Sequence, residues 1–276
     1  IAESTRLLVA NDPNPRCAAS GFGKILDMMR YALAIVVLCS AAFAAGAVRA
    51  AQPSPDVIAR GHSLTDAADC GSCHTLDPAQ PFAGGKRIDT PFGAVYSPNL
   101  TPDRDTGIGA WSDDDFYRAL HEGISPSGAR YYPAFPYPYL TQLTRDDVLA
   151  IKAYLATLTP VGHSAPPPDL IWPLNHRATM RGWNFLYFSP GTFEVNPQEN
   201  DQWNRGAYLV EGPGHCGACH TPKNFFGADR PDQAFGGGEI GGWFAPRLDS
   251  APRSGLASWS ATDISEYLQS GRNGKS

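Results

Sequence analysis

Apolar residues recur at helical spacing in only a few short stretches of this chain. Val148, Ile151, Leu155 and Leu158 line one face of a helix that Thr144 and Asp147 open and Pro160 stops. Ser112, with Asp115 three positions on, opens another that Gly123 ends, and Ser260, Asp263 and Gly271 repeat that arrangement near residue 270. Further short helices are predicted from about 55 to 62 and from about 201 to 210. The apolar positions of these helices read as core packing. The aromatic, Pro-rich run at 131–139 reads as an irregular loop.

One uncharged stretch, 31–48, has a different character. Met28, Met29 and Arg30 precede it, and Val48-Arg49-Ala50 closes it. A basic start, a short apolar segment and a small residue before a break are the parts of a secretory signal. Eighteen uncharged residues also sit at the lower limit for a membrane anchor. Half of the stretch is Ala, Gly or Ser, however, and only 32–38 is strongly apolar. Residues 28–50 are therefore assigned as a signal peptide cleaved near Ala50, and 1–27 as upstream, non-native sequence.

Composition narrows the class. Hydrophobic residues at 42% suffice for a core, while 25 Pro and 28 Gly favour loop-rich domains with short helices over a regular sheet. A net charge of -5 without basic runs argues against nucleic acid and against electrostatic docking on anionic lipid. No nucleotide-binding glycine motif follows a strand, and no Ser/His/Asp set can be placed.

The chemistry lies in Cys70-Gly-Ser-Cys73-His74 and Cys216-Gly-Ala-Cys219-His220. This is the c-type haem attachment pattern. Two Cys three positions apart on one helical turn both reach the haem vinyl groups, and the adjacent His supplies an axial nitrogen to the iron. Zinc sites, redox pairs and disulfide frameworks also use paired Cys. None of them requires a His immediately after the second Cys, and a redox pair would sit in a βαβ context that is absent. This composition leads to roughly 0.003 chance matches to the pattern, against two observed.

The surroundings of the two motifs repeat. Arg60-Gly61 matches Arg205-Gly206, and Gly84-Gly85 with Ile88 matches Gly237-Gly238 with Ile240. Ser97-Pro98-Asn99-Leu100-Thr101 matches Ala245-Pro246-Arg247-Leu248-Asp249, and the Gly107 to Ser112 segment matches Gly255 to Ser260. Two homologous haem domains in tandem follow: 51–199, with a C-terminal extension, and 200–276. The second copy stops just after its Gly271, whereas the first continues about 35 residues past Gly123 through the aromatic loop and the Thr144 helix. The expectation is that the second domain is incomplete, lacking a helix and the loop that would carry a distal ligand.

Three segments carry a resemblance: TPFGAVYSPNLTPDRDTGIGAWSDDDFYRALHEG at 90–123, YPAFPYPYLTQLTRDDVLAIKAYL at 132–155 and RGAYLVEGPGHCGACHTPKNFFG at 205–227. In them the chain resembles the multihaem cytochrome c subunit of membrane-associated bacterial dehydrogenases for alcohols, gluconate, sorbitol and fructose. The resemblance spans 56–276. It implies a mainly α fold of tandem class I cytochrome c-like haem domains with long loops. It also implies two covalent haem c groups, the third haem of the family and its C-terminal membrane-associating segment lying beyond this sequence. The implied partner is a catalytic flavoprotein or quinoprotein, with ubiquinone or a terminal oxidase downstream. The implied place is the periplasm, peripheral to the bacterial inner membrane. A free-standing dihaem shuttle and a haem peroxidase are the rivals, the latter needing an open iron site.

The haem residues expected are thus Cys70, Cys73 and His74, then Cys216, Cys219 and His220, with His74 and His220 on iron. Met180 is the expected distal ligand of the first haem, being the only Met beyond 50. It lies in a 172–184 segment that resembles a family stretch holding Met at that place. His121, His163 and His176 remain alternatives, and a gap-filling core role for Met180 is the bland one.

Overall fold

The computed structural model describes residues 52–252 and 255–272. The signal-peptide and upstream assignments lie outside these residues. Ser54 caps the first helix, α1 (Pro55–Ala67), its hydroxyl accepting from the Val57 amide at 3.4 Å, with Pro55 in the first helical position. α1 runs past the expected end near 62 because Leu64 and Thr65 are buried, so tertiary packing sets its length. A single left-handed residue, Asp69 (φ 49°), then turns the chain into the one-and-a-half-turn α2 (Cys70–His74).

A small sheet follows, which the hydropathy pattern does not predict. Strands β1 (Arg87–Thr90) and β2 (Gly93–Tyr96) pair antiparallel, and β3 (Asp169–Leu170) adds to the far edge of β2. Strands of four and two residues are too short for a period of two to register in sequence. Gly93 permits the third strand: at φ 118°, a Cβ there would stand 2.2 Å from the Asp169 carbonyl.

Helix α3 (Asp113–Glu122) has the expected capping box of Ser112 and Asp115 and ends at Gly123 with φ 65°. The aromatic run is irregular except for one turn, α4 (Tyr137–Leu140). Thr144 opens α5 (Arg145–Leu155), which stops before Leu158, contrary to expectation. The amides of Thr157 and Leu158 close tighter bonds to the carbonyls of Tyr154 and Leu155, at 2.9 and 3.2 Å. Thr159 precedes Pro160 and so disfavours helix. Leu158 still packs on the core from outside the helix.

A 3-10 turn, Arg177–Thr179, leads into α6 (Met180–Tyr187). The second repeat rebuilds the same order: α7 (Asp201–Glu211), α8 (Gly217–His220), the hairpin β4 (Gly238–Ile240) with β5 (Trp243–Ala245), and α9 (Ala261–Ser270). Asn200 caps α7, and Ser260 with Asp263 forms the second capping box.

The main core joins Leu64 of α1, Phe116 of α3, and Val148, Ile151 and Leu155 of α5. α1 crosses α5 at Gly61, where an added Cβ would fall 1.9 Å from the Ala150 carbonyl. Tyr208 of α7 reaches into this same core, its ring meeting Phe193 edge-on. Its hydroxyl donates to the buried Asp147 carboxylate at 2.6 Å and accepts from the Thr144 amide at 3.3 Å. Arg60 pairs with the other Asp147 oxygen. Burial, then the bond to Asp147, pushes the Tyr208 phenol up to about 12. The described residues from Pro53 onward cluster as one compact unit.

The repeat-related glycines differ in surroundings. A Cβ on Gly206 of α7 would meet nothing within 4 Å. Gly61→Ala should therefore destabilise the chain by about 3 kcal/mol, since helix backbone rather than a flexible side chain must yield. Gly206→Ala should be neutral or stabilise by up to about 1 kcal/mol through helix propensity. Urea midpoints of the two variants should separate accordingly.

Candidate functional site

The two Cys-x-x-Cys-His motifs occupy equivalent positions, each immediately after a positive-φ residue in the turn that follows a longer helix. In the first this residue is Asp69. In the second it is His215, with φ 34°. His, Asp and Asn tolerate this conformation better than other side chains. Asp69 also stabilises its own motif, its carboxylate bonding the Ser72 hydroxyl while its carbonyl accepts from the Ser72 amide at 3.2 Å.

Each motif histidine is held by one ring nitrogen. His74 Nδ1 lies 2.8 Å from the Pro98 carbonyl, and His220 Nδ1 lies 2.7 Å from the Pro246 carbonyl. A carbonyl can only accept, so Nδ1 carries the proton and Nε2 is left with its lone pair for a metal. Desolvation holds the His74 pKa below its ordinary value, against the opposing Pro98 bond, which favours the neutral ring that iron requires.

The supports of these rings are duplicated bond for bond. The Gly84 amide donates to the His74 carbonyl at 2.8 Å and the Gly237 amide to the His220 carbonyl at 2.9 Å. Phe82 and Phe235 both adopt positive φ, 63° and 58°, with amides donating at 3.1 Å to the hydroxyls of Thr75 and Thr221. Their carbonyls accept from the amides of Leu100 and Leu248, each at 2.9 Å. Gly84, at φ 75°, lies so near that a Cβ would meet the Pro98 carbonyl at 2.5 Å. The repeated Pro-x-Leu segments are visible in sequence. The role of Phe82 and Phe235 is not, because positive φ at a bulky residue has no sequence signal.

The motif cysteines are shielded to different degrees, Cys73 being exposed and the other three half-buried. Burial pushes the Cys70 thiol up to about 12 and also raises Cys73 and Cys216. Redox pairs and zinc sites need thiolates. Among the described residues no three His, Cys, Asp or Glu side chains gather as a metal cluster, and the four motif cysteines are free thiols. Two thiols one helical turn apart beside an oriented imidazole fit a haem that takes both sulfurs as thioethers.

The distal candidates are scattered. Met180, 5% exposed, begins α6. Asn184 anchors that turn, its amide nitrogen donating to the Met180 carbonyl at 3.0 Å and to the Tyr137 hydroxyl at 2.7 Å, while its oxygen accepts from Arg130 at 3.1 Å. His121 stacks on Tyr117 and His176 is exposed at the start of the 3-10 turn. The buried Nε2 of His163 is packed over Gly85 without a hydrogen-bond partner.

The first repeat also lends a residue to the second motif. Tyr139 packs on Gly217 of α8, where a Cβ would meet its ring at 3.0 Å. Its hydroxyl bonds Asp229, which in turn pairs with Lys223, and burial followed by the Asp229 bond raises the phenol's pKa.

A cytochrome c family model matches residues 58–159. The chain is 44% identical over 219 residues to a nicotinate dehydrogenase subunit of Pseudomonas putida, covering 79% of this chain and 18% of that protein. It is 42% identical over 218 residues to the fructose dehydrogenase cytochrome subunit of Gluconobacter japonicus, covering 78% and 45%. A dihaem c-type cytochrome of Cereibacter sphaeroides is 40% identical over 222 residues, covering 77% and 72%. The chain thus spans less than half the length of the first two.

Produced with haem-attachment machinery and then denatured, the chain should weigh two haems more than its polypeptide. Cys73→Ala with Cys219→Ala should abolish the pyridine haemochrome characteristic of two thioether links. A denatured wild-type chain of bare polypeptide mass would overturn the assignment.

Proposed function

Because the chain belongs to the c-type cytochromes that include the cytochrome subunits of bacterial dehydrogenases, we propose that it is an electron-transfer subunit with two covalent haems. The observation that carries this reading is the duplicated hold of a Cys-x-x-Cys-His imidazole on a proline carbonyl, at 2.8 and 2.7 Å. Haem, when bound, supplies an iron that gains and loses one electron at a time. Cys70 with Cys73, and Cys216 with Cys219, fasten the rings, while His74 and His220 present Nε2 to the iron. The Pro98 and Pro246 carbonyls take the Nδ1 proton of each imidazole and so fix the orientation of the ring.

Met180 is the distal ligand of the first haem. Its burial and the Asn184 bond to its carbonyl support this role, since a sixth ligand must stay in place when the iron is reduced. A thioether opposite imidazole raises the potential.

The electrons come from a catalytic dehydrogenase subunit, a flavoprotein or quinoprotein, and pass toward the ubiquinone pool. Thioether attachment in this kind of protein belongs to the periplasm, where the chain sits peripherally at the inner membrane. Among the described residues no helix is long and apolar enough to cross a membrane. The likeness to a dihaem c-type cytochrome, over 72% of that protein, favours a second reading as a shuttle between complexes.

Purification from the native host distinguishes the two readings. A subunit should copurify with a large flavoprotein or quinoprotein whose substrate reduces the haems of the complex; a chain isolated alone in full yield is a shuttle. Met180→Ala and Met180→Leu should both remove the weak near-infrared sulfur-to-iron band and lower the potential of the first haem. An unchanged spectrum and potential in both would return Met180 to the core.

A further inference from the structure

The position immediately before each motif is used differently in the two repeats. Asp69 bonds within its own motif, whereas the side chain of His215 leaves its motif. His215 Nε2 lies 3.2 Å from the carbonyl of Ala68, the residue that closes α1 just ahead of Asp69. That carbonyl belongs to the C-terminal set of a helix that has no intrahelical donor. The imidazole thus satisfies it from the other repeat, and the two attachment motifs are tied at their entrances.

Other contacts converge on the same junction. Tyr139 of the first repeat rests on Gly217 of the second. Cys70, Tyr208 and Leu209 pack against one core. The Tyr208 bond to Asp147 holds α7 on α5, and Tyr139 holds α8. The His215 bond adds a direct hold between the entrances of the two motifs.

We propose that His215 is a positioning residue that fixes the separation and relative orientation of the two haems for direct electron exchange within the chain. The inference rests on the two-haem reading above. The step moves one electron from the ferrous iron of one haem to the ferric iron of the other, with no proton or group transferred. The reductant is the reduced flavin or quinone cofactor of the partner dehydrogenase. His215 takes no part in the transfer; it donates its Nε2 proton to the Ala68 carbonyl and so holds the geometry.

The test compares the wild-type chain with His215→Asn and His215→Gln, each loaded with haem. Asn tolerates left-handed backbone but its amide is too short to reach Ala68, whereas Gln restores the reach. Haem content is measured first; a wild-type chain without two haems refutes the two-haem reading, not the role of His215. Intrachain electron redistribution after flash photoreduction should slow several-fold in His215→Asn and recover in His215→Gln, with both haem potentials unchanged. Pulsed electron paramagnetic resonance should show a broadened distribution of iron–iron distances in the Asn variant only. Wild-type rates in both variants, or equal slowing in both, overturn the proposal. Should His215→Asn fail to load its second haem, nitrogen NMR of the reduced wild-type chain decides. A protonated Nε2 protected from solvent exchange supports the proposal, and a freely exchanging one overturns it.

Discussion

The hydrogen bonds around each motif hold one imidazole by Nδ1 and leave Nε2 as the nitrogen that would bind iron. A ring free to turn about its side-chain bonds would present either nitrogen; the proline carbonyl removes that choice. The carbonyl must then itself be immobile. In the first repeat this is achieved by Gly84, whose missing Cβ lets two backbone segments approach, and by Phe82, whose peptide groups bond to Thr75 and Leu100. A side chain at Gly84 would displace the Pro98 carbonyl and with it the ring. The β-hairpins, the positive-φ phenylalanines and the glycine pairs therefore form one support, and its second copy around His220 uses the same bonds.

The motifs, the repeat, both capping boxes and the start of α5 are legible in sequence because each rests on local chemistry. A serine three residues before an aspartate bonds to a backbone amide whatever surrounds it, as Ser112 and Ser260 do. The differences lie where tertiary contacts overrule local preference. Burial of Leu64 lengthens α1, and short-range bonds at Thr157 shorten α5. β3 has no signature at all, since two residues acquire strand geometry only by meeting β2 across Gly93. Nothing in the sequence around His215 indicates that its ring crosses to the other repeat. Elimination and resemblance single out Met180 in the sequence, but its burial and the Asn184 bond emerge only in three dimensions.

The repeats share a plan but not an environment. Around the first motif, α1, α3 and α5 close a core in which Val148 and Leu143 are fully buried. Around the second, Trp243, Phe244 and Leu268 are all at least three-quarters exposed. The third strand tells the same story: among the described residues β2 has a partner on each edge, whereas β5 pairs with β4 alone. The described part of the second repeat accordingly draws much of its order from the first, through Tyr208 in the core and Tyr139 on α8.

The bond between Tyr208 and Asp147 has a consequence for how such chains can be divided. Duplication creates a boundary between repeats, and the sequence retains it near residue 200. The carboxylate that stitches α1 to α5 nevertheless has one oxygen answered from within its own copy and the other from the next. The unit that is inherited is thus smaller than the unit that folds. Shuffling a single copy into another gene would carry half of a shared core, with Tyr208 or its seat turned out to water. Removing either Asp147 or Tyr208 would therefore be felt in both copies, since each leaves the other's polar atoms buried without that partner.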